Sequence, residues 1–378
     1  MIRVRNPGPE RRALWVSSSL SAYGGIATFV RNMRETELWD EWRIHHIATH
    51  CDGTKLARLR VFVTGFFDFM SHIVLRRPAV VHLHASERGS FVRKGILTWM
   101  SALFRVPVVM QMHGGNFEDF FAEAGGPAKR LIRATLERAD VVIAIGGVWA
   151  QRFQVVAPGA HVEVIPNAIR PSAAVDQTAP DEVHVVFLGK LCDEKGTDVL
   201  LDAWAQVRAR KDTLPAKLTL AGWGEIDRFK DQAQKLGIHD SVQITGWLSR
   251  DDAQQLLASG HVFVLPSLYE CQPMSILESM ARGICVVSTP VGGIPEMIGE
   301  ADGILVSPGR ADELAEALAS VINNAELRQR LGTSARHRVE EQFHVDVIAR
   351  RFDDLYRRIT CVPADSVGAG RRSGLRRG

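Results

Sequence analysis

Short runs of β-branched and aliphatic residues alternate with helical segments along this chain, and that alternation constrains the fold more than any other feature. The pattern predicts parallel strands joined by helices. Most of the runs are apolar without a break, which is typical of strands buried on both faces. The predicted strands are 13–18, 43–48, 79–84, 107–112, 140–145, 161–165, 183–188, 217–221, 242–245, 262–265, 284–288 and 303–306.

The strands form two series, separated by the proline-bounded segment PSAAVDQTAP at 171–180, which we interpret as a linker. We therefore predict an α/β protein with two Rossmann-like domains, residues 1–172 and 173–344, facing across a cleft. A last helix at about 345–360 is expected to complete the first domain, and residues 361–378 are expected to form a disordered tail. Ligands of open α/β sheets bind at the carboxyl ends of the strands, so the cleft is the expected site.

The overall composition is that of a globular protein, with 46% hydrophobic and 24% charged residues. A net charge of +3 gives no reason to expect a nucleic-acid partner. The five cysteines are scattered and never spaced as C-x-x-C, which argues against a zinc ribbon or a disulfide framework. The N-terminal sequence MIRVRNPGPERR lacks the apolar core of a signal peptide, so a cytoplasmic location is expected.

The positive charge is concentrated in the first 150 residues, which contain 20 Lys and Arg against 13 Asp and Glu. Within that part, residues 55–77 combine four phenylalanines with basic residues at both ends. Such a segment could be a surface helix that rests on the anionic inner face of the cell membrane, or a helix packed into the core of the first domain. Its apolar stretch is too short to span a bilayer, which takes roughly 20 residues.

The most informative motif is LPSLYECQPMSILESMARG at 265–283. Glu270 lies in a loop after a buried strand, and Glu278 follows eight residues later on the next helix. The first amides of that helix, near Met274, Ser275 and Ile276, could bind a phosphate, since they lack intrahelical partners. The two carboxylates could then accept hydrogen bonds from hydroxyl groups of the same ligand. The alternative is a helix with ordinary solvated glutamates.

A second motif, VVFLGKLCDEKGTDVLLDAW, predicts a strand, a glycine turn and a helix, with Lys190 and Lys195 at the turn. Two cations there could stabilise a leaving diphosphate, although surface lysines at a turn are common. Gly24 and Gly25 follow the first strand, where a tight turn would present backbone amides to the cleft. His84 and His113 stand at strand ends, and His113, which precedes two glycines, is the better candidate for a ligand contact.

These motifs, followed by VGGIPEMI at 291–298, resemble the retaining glycosyltransferases of the GT-B fold, specifically family 4. The resemblance implies that Glu270 contacts the donor sugar, Glu278 the ribose, and the two lysines the diphosphate. It also implies that His113 lies near the reacting carbon and that the diphosphate oxygen helps to deprotonate the acceptor. The sequence departs from the family at Lys190, where arginine is usual, and at 271–273, where many members have G-F-G or G-x-P.

The expected function is therefore transfer of a hexose from a nucleotide diphosphate sugar to a glycan or lipid-linked saccharide, without a metal or other cofactor. Two alternatives are a GT-B sugar-nucleotide epimerase and a non-catalytic nucleotide-sugar-binding subunit. The candidate catalytic residues are His113, Glu270 and Lys195, and the candidate donor-binding residues are Gly24, Gly25, Lys190, Lys195, Met274, Ser275, Ile276 and Glu278.

Overall fold

The computed structural model describes residues 11–22, 24–177 and 181–360, which contain two sheets of six parallel strands each. The first sheet has the order β2-β1-β3-β4-β5-β6, and the second β12-β11-β10-β7-β8-β9. This confirms the predicted α/β class with two Rossmann-like domains. The strands are β1 Ala13–Ser17, β2 His45–Ala48, β3 Val80–Ala85, β4 Val108–Met112, β5 Val141–Ala144, β6 Val162–Val164, β7 Val183–Leu188, β8 Ala216–Ala221, β9 Val242–Gly246, β10 Val262–Leu265, β11 Cys285–Ser288 and β12 Gly303–Leu305.

Helices connect successive strands and cover the sheets. They are α1 Gly25–Met33, α2 Glu37–Glu41, α3 Lys55–Ser71, α4 Gly89–Leu103, α5 Phe117–Glu123, α6 Gly126–Arg138, α7 Gly147–Val156, α8 Thr197–Ala209, α9 Ile226–Lys235, α10 Arg250–Ala258, α11 Met274–Met280, α12 Ile294–Met297, α13 Ala311–Asn323, α14 Ala325–Arg338 and α15 Val345–Thr360. Two π-helical turns, His72–Arg76 and Val339–Phe343, extend α3 and α14.

The first sheet is buried on both faces, which explains why its strands are apolar without alternation. One face packs against α3, α4, α5, α6 and α7, with Phe69 and Leu97 in a shared hydrophobic core. The other face packs against α1, α2 and α15. The arrangement leaves the carboxyl ends of the strands free to form one wall of the cleft.

Helix α15 returns the chain from the second half of the sequence to the first sheet. Phe352 and Tyr356 are fully buried in the core that also contains Trp15. The indole of Trp15 donates a hydrogen bond to the Tyr356 hydroxyl at 3.0 Å. The helix therefore packs on the first sheet. The domain limits stay predictions, and the proposed tail at 361–378 lies outside the described residues.

The connection between the two sheets has no helix or strand from 171 to 177, and residues 178–180 of the predicted linker lie outside the described part of the chain. Hydrogen bonds also join the two domains directly. The Glu296 carboxylate accepts hydrogen bonds from the amides of Gly147 and Val148, at 2.7 and 2.9 Å, at the start of α7. The side-chain amide of Asn167 donates to the Gln272 carbonyl at 3.1 Å.

Candidate active site

A cavity of about 700 Å³ lies between the two domains. It collects nine of the ten residues that the sequence predicted for the site: Gly24, Gly25, His113, Lys190, Lys195, Glu270, Met274, Ser275 and Glu278. Ile276 is the exception, because its side chain is fully buried in the core of the second domain and it does not line the cavity. One cavity thus brings together motifs that are up to 250 residues apart in the sequence.

Lys195 and Glu270 form an ion pair inside this cavity. The Lys195 Nζ is 2.5 Å from the Glu270 Oε1, which also accepts a hydrogen bond from the Ser267 hydroxyl at 3.1 Å. The Glu270 side chain is only 9% exposed, so its charge is largely removed from water and depends on this partner. The sequence assigned these residues to different parts of a ligand. In the structure their opposite charges neutralise each other.

Lys190 faces an aromatic side chain. Its Nζ lies 5.3 Å from the centroid of the Trp223 ring, a cation–π contact. Trp223 and Trp247 each keep 49% of their surface exposed, and both line the cavity. Neither tryptophan is among the residues that the sequence predicted for the site. Two exposed indoles in one cavity wall provide flat surfaces on which a planar ring can stack.

Glu278 is partly buried among arginines. Burial raises the pKa of Glu278 to about 7, and the charges of Arg250, Arg31 and Arg282 act in the opposite direction. Arg31 belongs to α1 of the first domain, whereas Arg250 begins α10. The sequence missed Arg31 and Arg250 because they are distant in the chain from the motif at 265–283, and it did not single out Arg282 within that motif. Arg31 and Arg250 line this end of the cavity and give it positive charge, which suits an anionic ligand.

His113 lines the cavity, whereas His84 lies behind it. The Nδ1 atom of His84 is 3.1 Å from the Nε2 atom of His113, so the two rings share one hydrogen bond. Burial lowers the pKa of His113 to about 3, and it holds that of His84 well below the ordinary value for histidine. Both rings are therefore neutral near pH 7, and His113 can offer a ligand a hydrogen bond but no charge.

The glycine pair of the motif at 291–298 supports the loop that carries Glu270. A Cβ atom added to Gly292 would lie 1.8 Å from the Glu270 carbonyl oxygen, and one added to Gly293 would lie 2.4 Å from the Cys271 carbonyl oxygen. Gly292 also has a φ of +56°, in the region that favours glycine. The two motifs occur together because the backbone of one lies directly against the backbone of the other.

One group of described residues has the donor atoms and spacing of a metal site, but it lies outside the cavity. It consists of His45 on β2 with Asp68 and His72 on the opposing helical segment. The Asp68 carboxylate lies 3.0 Å from a ring nitrogen of each histidine. Each histidine therefore already has a hydrogen-bonding partner. The sequence did not reveal this group, since His45 is distant in the chain.

Two family models match the chain and together cover most of it. The model for the glycosyl transferase 4-like domain matches residues 8–168, and the model for glycosyl transferases group 1 matches residues 172–338. The first therefore contains the glycine turn and the two histidines, and the second contains both lysines and both glutamates.

Curated relatives are similar at a moderate level of identity. The chain is 33% identical to an uncharacterized glycosyltransferase of Methanocaldococcus jannaschii over 47% of this chain and 45% of that protein. It is 25% identical to the alpha-D-kanosaminyltransferase of Streptomyces kanamyceticus over 89% of this chain and 83% of that protein. The first match thus spans less than half of that relative, and the second spans most of its length.

Solved structures share the whole architecture. Sucrose-phosphate synthase from Thermosynechococcus elongatus superposes with a TM-score of 0.75 at 21% identity, covering 93% of this chain and all of that one. HepE from Anabaena, solved in complex with UDP-glucose, has a TM-score of 0.69 at 19% identity over 91% and 98% of the two chains. The fold is therefore of the GT-B class. Together with the family models, it identifies this chain as a GT-B glycosyltransferase.

Proposed function

We propose that this glycosyltransferase transfers a hexose from a nucleotide diphosphate sugar to a glycan or lipid-linked saccharide, with retention of anomeric configuration, in bacterial surface polysaccharide or glycolipid synthesis. The observation that carries the proposal is the cavity in which two lysines, two glutamates and a neutral histidine line the space between the domains. HepE, which shares the fold, was solved with UDP-glucose, and this supports a donor of the same class.

The diphosphate of the donor would lie at the two lysines. Lys190 and Lys195 both line the cavity, and α1 begins at its edge with Gly24 and Gly25. Fixed positive charges and unpaired amides at that position stabilise the negative charge that grows on the diphosphate as the glycosidic bond breaks. Met274 and Ser275 at the start of α11 add further amides. These groups supply the charge for which other transferases use a metal ion, so we propose a metal-independent reaction.

The sugar and the nucleoside would lie on either side of the diphosphate. Glu270 would accept hydrogen bonds from sugar hydroxyls, and Glu278 from the ribose diol. The base would stack against the exposed indoles of Trp223 or Trp247. When a diphosphate binds Lys195, the ion pair with Glu270 has a competing anion. The Glu270 carboxylate would then be free to bind the sugar. Binding of the diphosphate to Lys195 would in this way favour binding of the sugar to Glu270.

The acceptor proton would go to an oxygen of the leaving diphosphate. His113 is neutral near pH 7 because burial lowers its pKa to about 3, so it is a weak proton acceptor there. Its role is to orient the sugar near the reacting carbon by a hydrogen bond. The resemblance to retaining family 4 enzymes implies the same path for the proton.

A thermal-shift screen with UDP- and GDP-sugars tests the donor class. We expect one nucleotide sugar to raise the melting temperature, since a ligand at about 100 times its Kd stabilises the native state by roughly 2.7 kcal/mol. The shift should shrink in Lys190→Ala and persist in Lys217→Ala, whose lysine lies on β8 paired with Glu182 outside the cavity. The absence of a shift with every nucleotide sugar would refute the proposal. Binding without release of a nucleoside diphosphate on any acceptor would favour the non-catalytic subunit.

The outer surface of the first domain carries a large apolar face. Exposed apolar side chains follow each other at helical spacing along α3 and along α4: Leu56, Leu59, Val63 and Phe67, then Val92, Ile96, Trp99 and Leu103. Trp99 donates a hydrogen bond to Thr135 of α6 at 3.0 Å, and Leu131, one turn before, is 61% exposed. Helices α3, α4 and α6 pack on the same face of the first sheet, so these exposed side chains lie on the same side of the domain.

Basic residues accompany this apolar face. Residues 53–105 contain nine Lys and Arg but only two Asp and Glu. One of those acids, Asp68, is paired with His45 and His72. Large exposed apolar patches mark interaction sites. Among the described residues, no helix is both long and apolar enough to cross a bilayer. We propose that the face rests on an anionic membrane, where a lipid-linked acceptor would be found.

Flotation with lipid vesicles tests this contact. The native protein should float with vesicles that contain phosphatidylglycerol and much less with pure phosphatidylcholine, because apolar burial and charge act together. The double variant Leu59→Ser and Phe67→Ser should lose most of the binding. Leu214→Ser serves as the matched control, since Leu214 is 51% exposed on the second domain. Equal flotation of native protein and double variant would mean that the contact lies elsewhere or does not exist.

A further inference from the structure

A second cavity, of about 420 Å³, lies in the first domain. It is adjacent to the cavity between the domains, which is called the donor cavity below because the proposed donor would bind there. The two cavities share Ala22, Gly24 and Gly25 in their walls. They are also joined by the histidine pair, because His84 lines the second cavity and hydrogen-bonds to His113 of the first. A group bound in the second cavity would therefore lie next to the proposed reacting carbon.

Lys94 of α4 lines this cavity, and the described residues include no acidic partner for it. Its side chain is 1% exposed, and its Nζ donates to the Thr49 hydroxyl at 2.6 Å. Burial lowers the pKa of Lys94 to about 7, and the charge of Arg93 acts in the same direction. A buried ammonium group with unfilled donors is costly unless an anion binds beside it.

Two further features of α4 favour an anion at this place. Arg93 lines the same cavity, and its Nε atom is buried without a hydrogen-bond partner among the described residues. Gly89 and Ser90, in the first turn of this 15-residue helix, also line the cavity. That turn contains no acidic residue, so the positive end of the helix dipole is not offset. A guanidinium, an ammonium and a helix start together match a tetrahedral oxyanion.

The cavity also contains acceptors for hydroxyl groups. Glu87 and Asp52 line it, and the Oε2 atom of Glu87 is buried without a partner among the described residues. Because these carboxylates can accept hydrogen bonds from hydroxyl groups, the preferred ligand carries hydroxyl groups as well as a negative charge. The hydroxyls would meet the carboxylates while the anionic group meets α4.

We propose that this cavity is the acceptor site and that it selects a hydroxyl-bearing acceptor with a phosphate group, held by Lys94, Arg93 and the start of α4. This rests on the glycosyltransferase function proposed above and narrows its acceptor. The phosphate could belong to a soluble sugar or polyol phosphate or to a lipid headgroup. The same groups would recognise the phosphate in both cases. The exposed apolar side chains of α3 and α4 are compatible with a lipid headgroup.

Calorimetry with inorganic phosphate tests the site directly. The protein is first saturated with the nucleoside diphosphate that stabilises it most, so that the donor cavity is occupied. We expect phosphate to bind the native protein and to bind Lys94→Met about tenfold or more weakly, because a charge-assisted hydrogen bond is lost. Arg93→Gln should weaken binding in the same direction. The matched control is Lys129→Met, which changes a half-buried lysine of α6 outside both cavities.

Phosphate binding that is equal in native protein, Lys94→Met and Arg93→Gln, or absent from the native protein, would overturn the proposal. The nucleoside diphosphate titration on the same samples separates this result from a failure of the proposed function. If the nucleotide still binds, the donor site stands and only the acceptor assignment falls. Displacement of phosphate by glycerol 3-phosphate would support a soluble acceptor, and displacement by phosphatidylglycerol vesicles alone would support a lipid headgroup.

Discussion

Lys195→Ala is expected to lower kcat by about 10²- to 10³-fold, since removing one preorganised donor to a developing negative charge usually costs that much. Lys195 lines the donor cavity beside Lys190, and it also holds the Glu270 carboxylate at 2.5 Å. Its loss would therefore remove a cation from the diphosphate and leave a largely buried carboxylate without its partner. Glu270→Ala should produce a fall of similar size, because the sugar would lose its acceptor and Lys195 its position.

The two substitutions should not add when they are combined. Residues in direct contact act as a unit, so the double variant should be little worse than either single variant. The matched control is the exposed pair of Lys217 and Glu182, 3.1 Å apart on the second domain, whose removal should leave kcat unchanged. Initial rates of nucleoside diphosphate release provide the measurement, and circular dichroism checks the fold. Normal turnover in both single variants would place the active site elsewhere.

The architecture was predictable from the sequence because the strands are buried on both faces and read as continuous apolar runs. The observed strands differ from the predicted ones mainly at their ends. The strand predicted at 43–48 begins at His45, because Arg43 takes a φ of +41° in the turn before it. Such ends depend on local turns, which hydrophobic periodicity does not register.

The candidate site was predictable where a motif holds its residues close together in the chain. Ile276 was predicted for its backbone amide, and its side chain packs into the core while Met274 and Ser275 line the cavity. Arg31 and Lys94 could not be predicted from a motif. Each lines a cavity wall through packing of the first domain, and nothing in the surrounding sequence distinguishes either from an ordinary surface residue. The ion pair between Lys195 and Glu270 is likewise a tertiary contact.

Gly292→Ala should damage both stability and activity, although residue 292 touches no ligand in the proposed mechanism. At its φ of +56°, an L side chain costs about 1 to 2 kcal/mol. The new Cβ atom would also lie 1.8 Å from the carbonyl oxygen of Glu270, so the loop must move, and overpacking adds about 1 to 3 kcal/mol. If Glu270 binds the sugar as proposed, a shift of its loop by about 1 Å can lower kcat roughly 100-fold.

Gly237→Ala separates these two causes, because Gly237 has a φ of +68° with no atom within 4 Å of the added Cβ. It should show the backbone cost alone, about 1 to 2 kcal/mol, with kcat unchanged. Denaturant titrations give the free energy of unfolding of each variant. The difference between the two values is the cost of the clash between the added Cβ atom of residue 292 and the Glu270 carbonyl. If the two variants match in stability and rate, Gly292 does not position Glu270. If kcat falls in Gly292→Ala but not in Gly237→Ala, the glycine pair at 292–293 and the loop that carries Glu270 function as one structural unit. This would explain why both motifs occur in the same chain.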